Sequence, residues 1–197
     1  MGSDRAGADA PACVLWRRLD APGHDACRLE RTPAGWRLDG AAVFLRDGEP
    51  ARLDYRVECD RGFGAPRALV RGWVGARALE LRLERGPSGA WSLNGEPASE
   101  LETCADLDLG FTPATNLLAL RRLALAPGQA AQAPAAWLDE PDGRLALLPQ
   151  RYERRSATTY WYESPSTGYS GLLEVDATGF VSRYPGLWER EKGAPAA

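Results

Sequence analysis

Polar and apolar residues alternate most strictly over residues 51–59, where Leu53, Tyr55, Val57 and Cys59 fall on one side and Arg52, Asp54, Arg56 and Glu58 on the other. A period of two marks a strand with one face in the core and the other in water. Residues 78–85 repeat it, with Leu79, Leu81 and Leu83 set against Glu80, Arg82 and Glu84. The pattern also predicts strands over 14–19, 24–29, 68–74 and 90–93, and a hairpin in which 35–38 and 41–45 are joined by a tight Asp39-Gly40 turn. Every connection up to Leu93 is short, so this half reads as an antiparallel meander rather than as βαβ units. Later strands are expected over 134–138 and 144–148, separated by Glu140-Pro141-Asp142-Gly143, and as one long strand over 152–163. A last hairpin joins 172–175 to 180–184 through 176–179, and Pro185-Gly186-Leu187-Trp188 docks the end.

Between these halves lies the stretch 106–125, where the period changes. Leu107, Leu109 and Phe111 alternate with Asp106, Asp108 and Gly110, as in a strand, and then Thr112-Pro113 gives a helix start. Thr can accept from free backbone N–H groups, and Pro at the first helical position gives up a donor that has no partner there. A short helix is expected over 114–119, followed by Arg121 and Arg122 and ended by Pro127-Gly128. A lone apolar helix in a β chain is buried by wrapping sheet around it. The expected fold is therefore all-β and mainly antiparallel, a many-stranded sheet rolled around one short central helix. Residues 1–12 are expected as a disordered tail, 13–188 as a single domain and 189–197 as a flexible tail.

Composition narrows the function classes. The 197 residues carry a net charge of −3 with acids and bases interspersed, which argues against a nucleic-acid surface. No stretch approaches the ~20 apolar residues of a membrane span. The N-terminal residues 1–13 are charged where a secretory signal would be apolar, so a cytoplasmic location is expected. Cys13, Cys27, Cys59 and Cys104 are widely spaced, and buried inert thiols are expected rather than a zinc or redox site; no metal and no cofactor is called for.

Catalysis has candidates of its own. Asp106 and Asp108 fall two apart on one face of a strand, where carboxylates can work as an acid/base pair or, with Asp60 and His24, surround a metal. The chain has one histidine, however, and outward carboxylates on such a strand are commonly solvated or paired with arginines such as Arg121, Arg122 or Arg151. His24-Asp25 could serve a hydrolase or lyase together with Asp60 or Asp106, although no serine sits in a G-x-S-x-G elbow. A rigid interaction module marked by an exposed apolar patch is a third class. Binding has the broader support, because 7 Trp and 6 Tyr can line a concave interior with large apolar area and polar tips.

Residues 104–116, CADLDLGFTPATN, followed by RRL at 121–123, resemble the signature of a bacterial family described as putative glycolipid-binding, formerly a domain of unknown function. HDACRLE around Cys27, VECD at 57–60, AAWL at 135–138, QRYER at 150–154 and YPGLW at 184–188 follow in the family's order, so the resemblance covers nearly the whole chain. It implies a sheet rolled around one helix, similar in shape to bacterial lipid-carrier lipoproteins. It also implies a non-enzymatic role, with a glycolipid or other amphipathic small ligand held between sheet and helix. Those carriers are exported, from which this sequence departs. Burial of acyl carbons in such a cleft contributes ~0.8 kcal/mol per methylene. The ligand-binding residues expected on this reading are His24, Arg67, Asn116, Leu117, Leu118, Arg121, Arg122 and Trp161, the arginines gripping an anionic head. Asp60, Asp106, Asp108 and Arg151 are expected as a structural polar network.

Overall fold

The structure is a computed structural model that describes residues 11–98, 100–139 and 143–192. The first half runs Ala12–Arg18 (β1), Gly23–Arg31 (β2), Trp36–Arg46 (β3), Glu49–Cys59 (β4), Arg67–Val74 (β5), Arg77–Arg85 (β6), Trp91–Leu93 (β7) and Glu96–Ala98 (β8). Asp106–Leu109 (β9) leads to the helix Asn116–Leu123 (α1). The second half continues with Ala130–Gln132 (β10), Ala135–Asp139 (β11), Arg144–Leu148 (β12), Arg151–Arg154 (β13), Thr159–Ser164 (β14), Tyr169–Val175 (β15), Val181–Tyr184 (β16) and Trp188–Arg190 (β17). The fold is all-β, as expected.

Fourteen strands form one sheet in the order β10-β13-β14-β15-β16-β17-β1-β2-β3-β4-β5-β6-β7-β8. The first half is a meander, the second is a meander from β13 to β17 with β10 added at its edge beside β13, and the halves are joined where β1 pairs with β17, Trp16 opposite Arg190 and Arg18 opposite Trp188. Glu189 and Arg190 therefore belong to a strand rather than to the expected tail, because they satisfy backbone groups that β1 would otherwise leave open. Ala12 likewise lies in β1; residues 1–10 and 193–197 fall outside the described residues. A smaller sheet orders β12-β11-β9, and β11 runs parallel to β9. A parallel pair needs a crossover. Here α1 and β10 lie within it.

The helix contacts both halves of the large sheet. Tyr55 of β4 bonds Thr112 just before α1, Asn116 of α1 bonds Tyr152 of β13, and Arg121 bonds the Thr178 carbonyl between β15 and β16. Leu117 and Leu118 are fully buried in the core these elements share.

Several expected elements are corrected. Asp39-Gly40 is not a turn; β3 runs straight through it, with Gly40 opposite Tyr55 of β4. A Cβ on Gly40 would lie 2.3 Å from Tyr55 Cζ, so the glycine makes room for the ring that leans across it. The long strand expected over 152–163 is the hairpin β13–β14, closed by Arg155 N donating to Thr159 O at 2.9 Å and by a 2.7 Å hydrogen bond between the Ser156 and Thr159 hydroxyls. The helix starts later and runs further than 114–119. Pro113–Thr115 make a tight turn with bonds such as Leu118 N to Thr115 O at 3.0 Å, so the proline signal is real but opens a turn ahead of the α-helix. Cys27, Cys59 and Cys104 are buried, whereas Cys13 is exposed because it falls on the outward side of β1.

Candidate functional site

Alternation places Tyr160, Tyr162 and Ser164 of β14 toward the helix and Trp161 and Glu163 away from it. Of the inward set, Tyr162 and Ser164 meet the start of α1 and the small sheet in a pocket of about 120 Å3. Its polar wall is Asp108, Thr112, Asn116 and Ser164, and its aromatic wall Trp137, Tyr162, Tyr184 and Trp188. Gly110 lets Trp137 in, since a Cβ there would lie 2.6 Å from Trp137 Nε1.

Most of these polar groups are held in place by neighbours. Gln150 Nε2 donates to Asp108 Oδ2 at 2.8 Å and to Tyr162 OH at 3.0 Å, and Asn116 Nδ2 donates to Tyr152 OH at 2.8 Å. Tyr162 packs against Tyr152, Tyr169 and Tyr184 with ring centroids 4.9, 6.0 and 5.7 Å away. Burial raises the Asp108 carboxyl to about 6, against the bond from Gln150. The same cause pushes the Tyr162 and Tyr184 phenols up, so these hydroxyls stay protonated donors at neutral pH. Ser164 is the exception: its Oγ is buried, the residue being 1% exposed, and makes no well-formed hydrogen bond, although it lies near enough to the Tyr162 hydroxyl to act on that phenol. A buried hydroxyl left unpaired costs about 1–3 kcal/mol. Among the described residues, no Arg or Lys lines the pocket.

On the other side of the helix start, Asp25 is 0% exposed and, among the described residues, has no cation paired with it. Tyr55 OH donates to it at 3.0 Å, and Thr112, whose Oγ1 accepts from Ala114 N at 2.9 Å, bonds it as well. Desolvation raises this carboxyl to about 6, offset in part by those hydrogen bonds.

The expected ligand residues are dispersed. Asn116 borders the pocket, while Leu117 and Leu118 are packed into the core. Arg122 is committed to Asp106, with Nε to Oδ1 at 2.7 Å and Nη2 to Oδ2 at 2.6 Å. Arg121 lies in the last turn of α1, away from the pocket, exposed and over the Phe63 ring. His24 is on the outer face of β2, 3.3 Å from Glu191. Arg67 is exposed on β5, and Trp161 bonds Glu163 at 2.9 Å on the outward side of β14. The expected polar network divides in the same way. Asp106 alone takes an arginine; Asp60 accepts from Gly62 N and Gly64 N within its own loop, and Arg151 pairs with Glu153 and Glu163 on its own sheet face. Asp106 and Asp108 are not outward carboxylates, because β9 is covered on both faces. His24, Asp25, Asp60 and Asp106 share no site, so the convergence that the hydrolase alternative needs is not formed. Ser164 and Tyr162 are among the pocket residues that sequence reasoning missed. The inward register of β14 is their only sequence signal, and it was obscured by reading β13 and β14 as one strand.

A family described as "Putative glycolipid-binding" matches residues 13–190. The chain belongs to this family. A crystal structure of a DUF1089 family protein from Pseudomonas aeruginosa is similar to it, with 29% sequence identity over 86% of this chain and 92% of its own, and a TM-score of 0.76. No curated protein matches the chain. The match to the putative glycolipid-binding family spans from β1 to β17, so the pocket at the start of α1 lies wholly within it. No helix among the described residues is long and apolar enough to cross a membrane, and no group of three or more His, Cys, Asp or Glu there could hold a metal ion.

Proposed function

We propose that this protein binds an amphipathic glycolipid-class ligand without transforming it, and that the pocket at the start of α1 receives part of the uncharged sugar head. The observation that carries this reading is the pairing of the unpartnered Ser164 hydroxyl with aromatic walls and the polar atoms of Asp108 and Asn116, in a lining that has no cation. Sugar hydroxyls can donate to Asp108 and exchange hydrogen bonds with Ser164, while the ring's apolar faces suit tyrosine and tryptophan. A carboxylate with no balancing arginine disfavours an anionic head. At about 120 Å3 the pocket is smaller than the ~300–1,000 Å3 of drug-sized ligand sites, so it suits a head-group fragment and leaves the acyl chains outside it.

Calorimetric titration with octyl glucoside below its micellar range tests this. Wild-type protein should bind it, and Ser164→Ala should weaken binding at least fivefold without lowering the melting temperature, because the variant also removes an unpaired buried hydroxyl. Absence of binding, or equal binding by the variant, would contradict the assignment.

A further inference from the structure

The other end of α1 presents different chemistry. A cavity of about 310 Å3 lies beside Arg121 and Arg154, with Leu120, Tyr160 and Val175 as its apolar floor. Its volume reaches the ~300–1,000 Å3 of small-molecule sites. Both guanidinium groups are tied to backbone carbonyls. Arg121 Nε donates to Thr178 O at 3.0 Å; Arg154 donates to Leu125 O at 2.7 Å and to Ser156 O and Ala157 O at 3.0 Å each. These are neutral acceptors, and a guanidinium has five N–H donors in a fixed fork, so each arginine keeps N–H groups beyond those ties. Among the described residues, neither Arg121 nor Arg154 has a carboxylate within ion-pair distance, whereas Arg122, Arg151 and Arg155 each do. Asp176 borders the cavity, but its Oδ2 takes Arg190 at 2.7 Å and its Oδ1 accepts from Thr178 N at 2.8 Å and Phe180 N at 3.1 Å. The C-terminus of a helix contributes about half a negative charge. Two full positive charges outweigh it.

We propose that this cavity is an oxyanion site, in which Arg121 and Arg154 hold a phosphate or carboxylate group and the floor of Leu120, Tyr160 and Val175 takes an attached apolar chain. The carbonyl ties fix both guanidinium groups before the anion arrives, which lowers the ordering cost of binding. The site is separate from the sugar pocket and does not depend on it, since the two openings flank opposite ends of α1.

Octyl phosphate, octanoate, inorganic phosphate and octanol, titrated into wild-type protein and into Arg121→Gln, test the proposal. Octyl phosphate or octanoate should bind at least tenfold more tightly than octanol, with affinity falling as salt is raised. Arg121→Gln should remove most of that difference while keeping the wild-type melting temperature, since Arg121 is exposed and its hydrogen bonds go to one carbonyl. Inorganic phosphate binding as tightly as octyl phosphate would assign the site to a free anion; weaker binding would assign it to an anionic amphiphile. Ser164→Ala should leave anion binding unchanged, so failure of the sugar pocket and failure of this site are told apart. Octyl phosphate and octanoate binding no better than octanol, or unaffected by Arg121→Gln, would overturn the proposal.

Discussion

Asp25 and Asp108 lie in surroundings that favour the neutral acid, and this sets a pH dependence opposite to that of a salt-bridged carboxylate. Both carboxyls sit at about 6 in the folded protein, raised by burial, against an ordinary aspartate value near 3.9. Between about pH 4 and 6 the native state holds protons that the unfolded chain has released, so this contribution to stability falls as pH rises through that window and is level above it. At roughly 1.4 kcal/mol per pKa unit, each carboxyl accounts for up to about 3 kcal/mol. Denaturant titrations of wild type, Asp25→Asn and Asp108→Asn across that range should show the wild type losing stability relative to each variant as pH rises. Parallel curves would refute the assignment. Asp106 differs because the Arg122 guanidinium is bound to both its oxygens; breaking such a pair typically costs 3–5 kcal/mol. Residue roles were only partly legible in the sequence. The Asp106–Arg122 pair was among the combinations expected, but Ser164 looked like any serine until the register of β14 turned it inward.

Elements were most legible where the pattern is local. The alternation over 51–59 became β4, with Leu53, Tyr55, Val57 and Cys59 buried, because a strand half in water writes its period directly into the chain. Asp39-Gly40 misled because the cause of that glycine lies on another strand. The Tyr55 ring crosses the space where a Cβ would stand and carries its hydroxyl to Asp25. Gly40→Ala should therefore displace Tyr55 and cost about 1–3 kcal/mol, the usual penalty for overfilling a packed site. The loss should shrink in Gly40→Ala/Tyr55→Phe, where no hydroxyl remains to be displaced from Asp25. A Gly40→Ala variant as stable as wild type by urea denaturation would show that glycine is not required there. The hairpin β13–β14 was read as one strand because its turn, Arg155–Thr158, has none of the Gly or Pro punctuation that marks the others.

At the scale of the whole molecule, two meanders are joined through β1 and β17, with one helix bonded to both and different chemistry at its two ends. The meanders could be read from short connections. The β1–β17 pairing and the parallel β9–β11 pair could not, since each joins residues far apart in sequence and leaves no local period. The central claim is that an amphipathic glycolipid-class ligand occupies the protein at the start of α1. Native mass spectrometry of protein purified from a bacterial host, followed by organic extraction and lipid analysis, tests it most directly. The account predicts a one-to-one complex with a lipid that carries both sugar and acyl groups, and reduced occupancy in folded Ser164→Ala. A bare protein mass, together with no thermal stabilisation by added glycolipids, would contradict it.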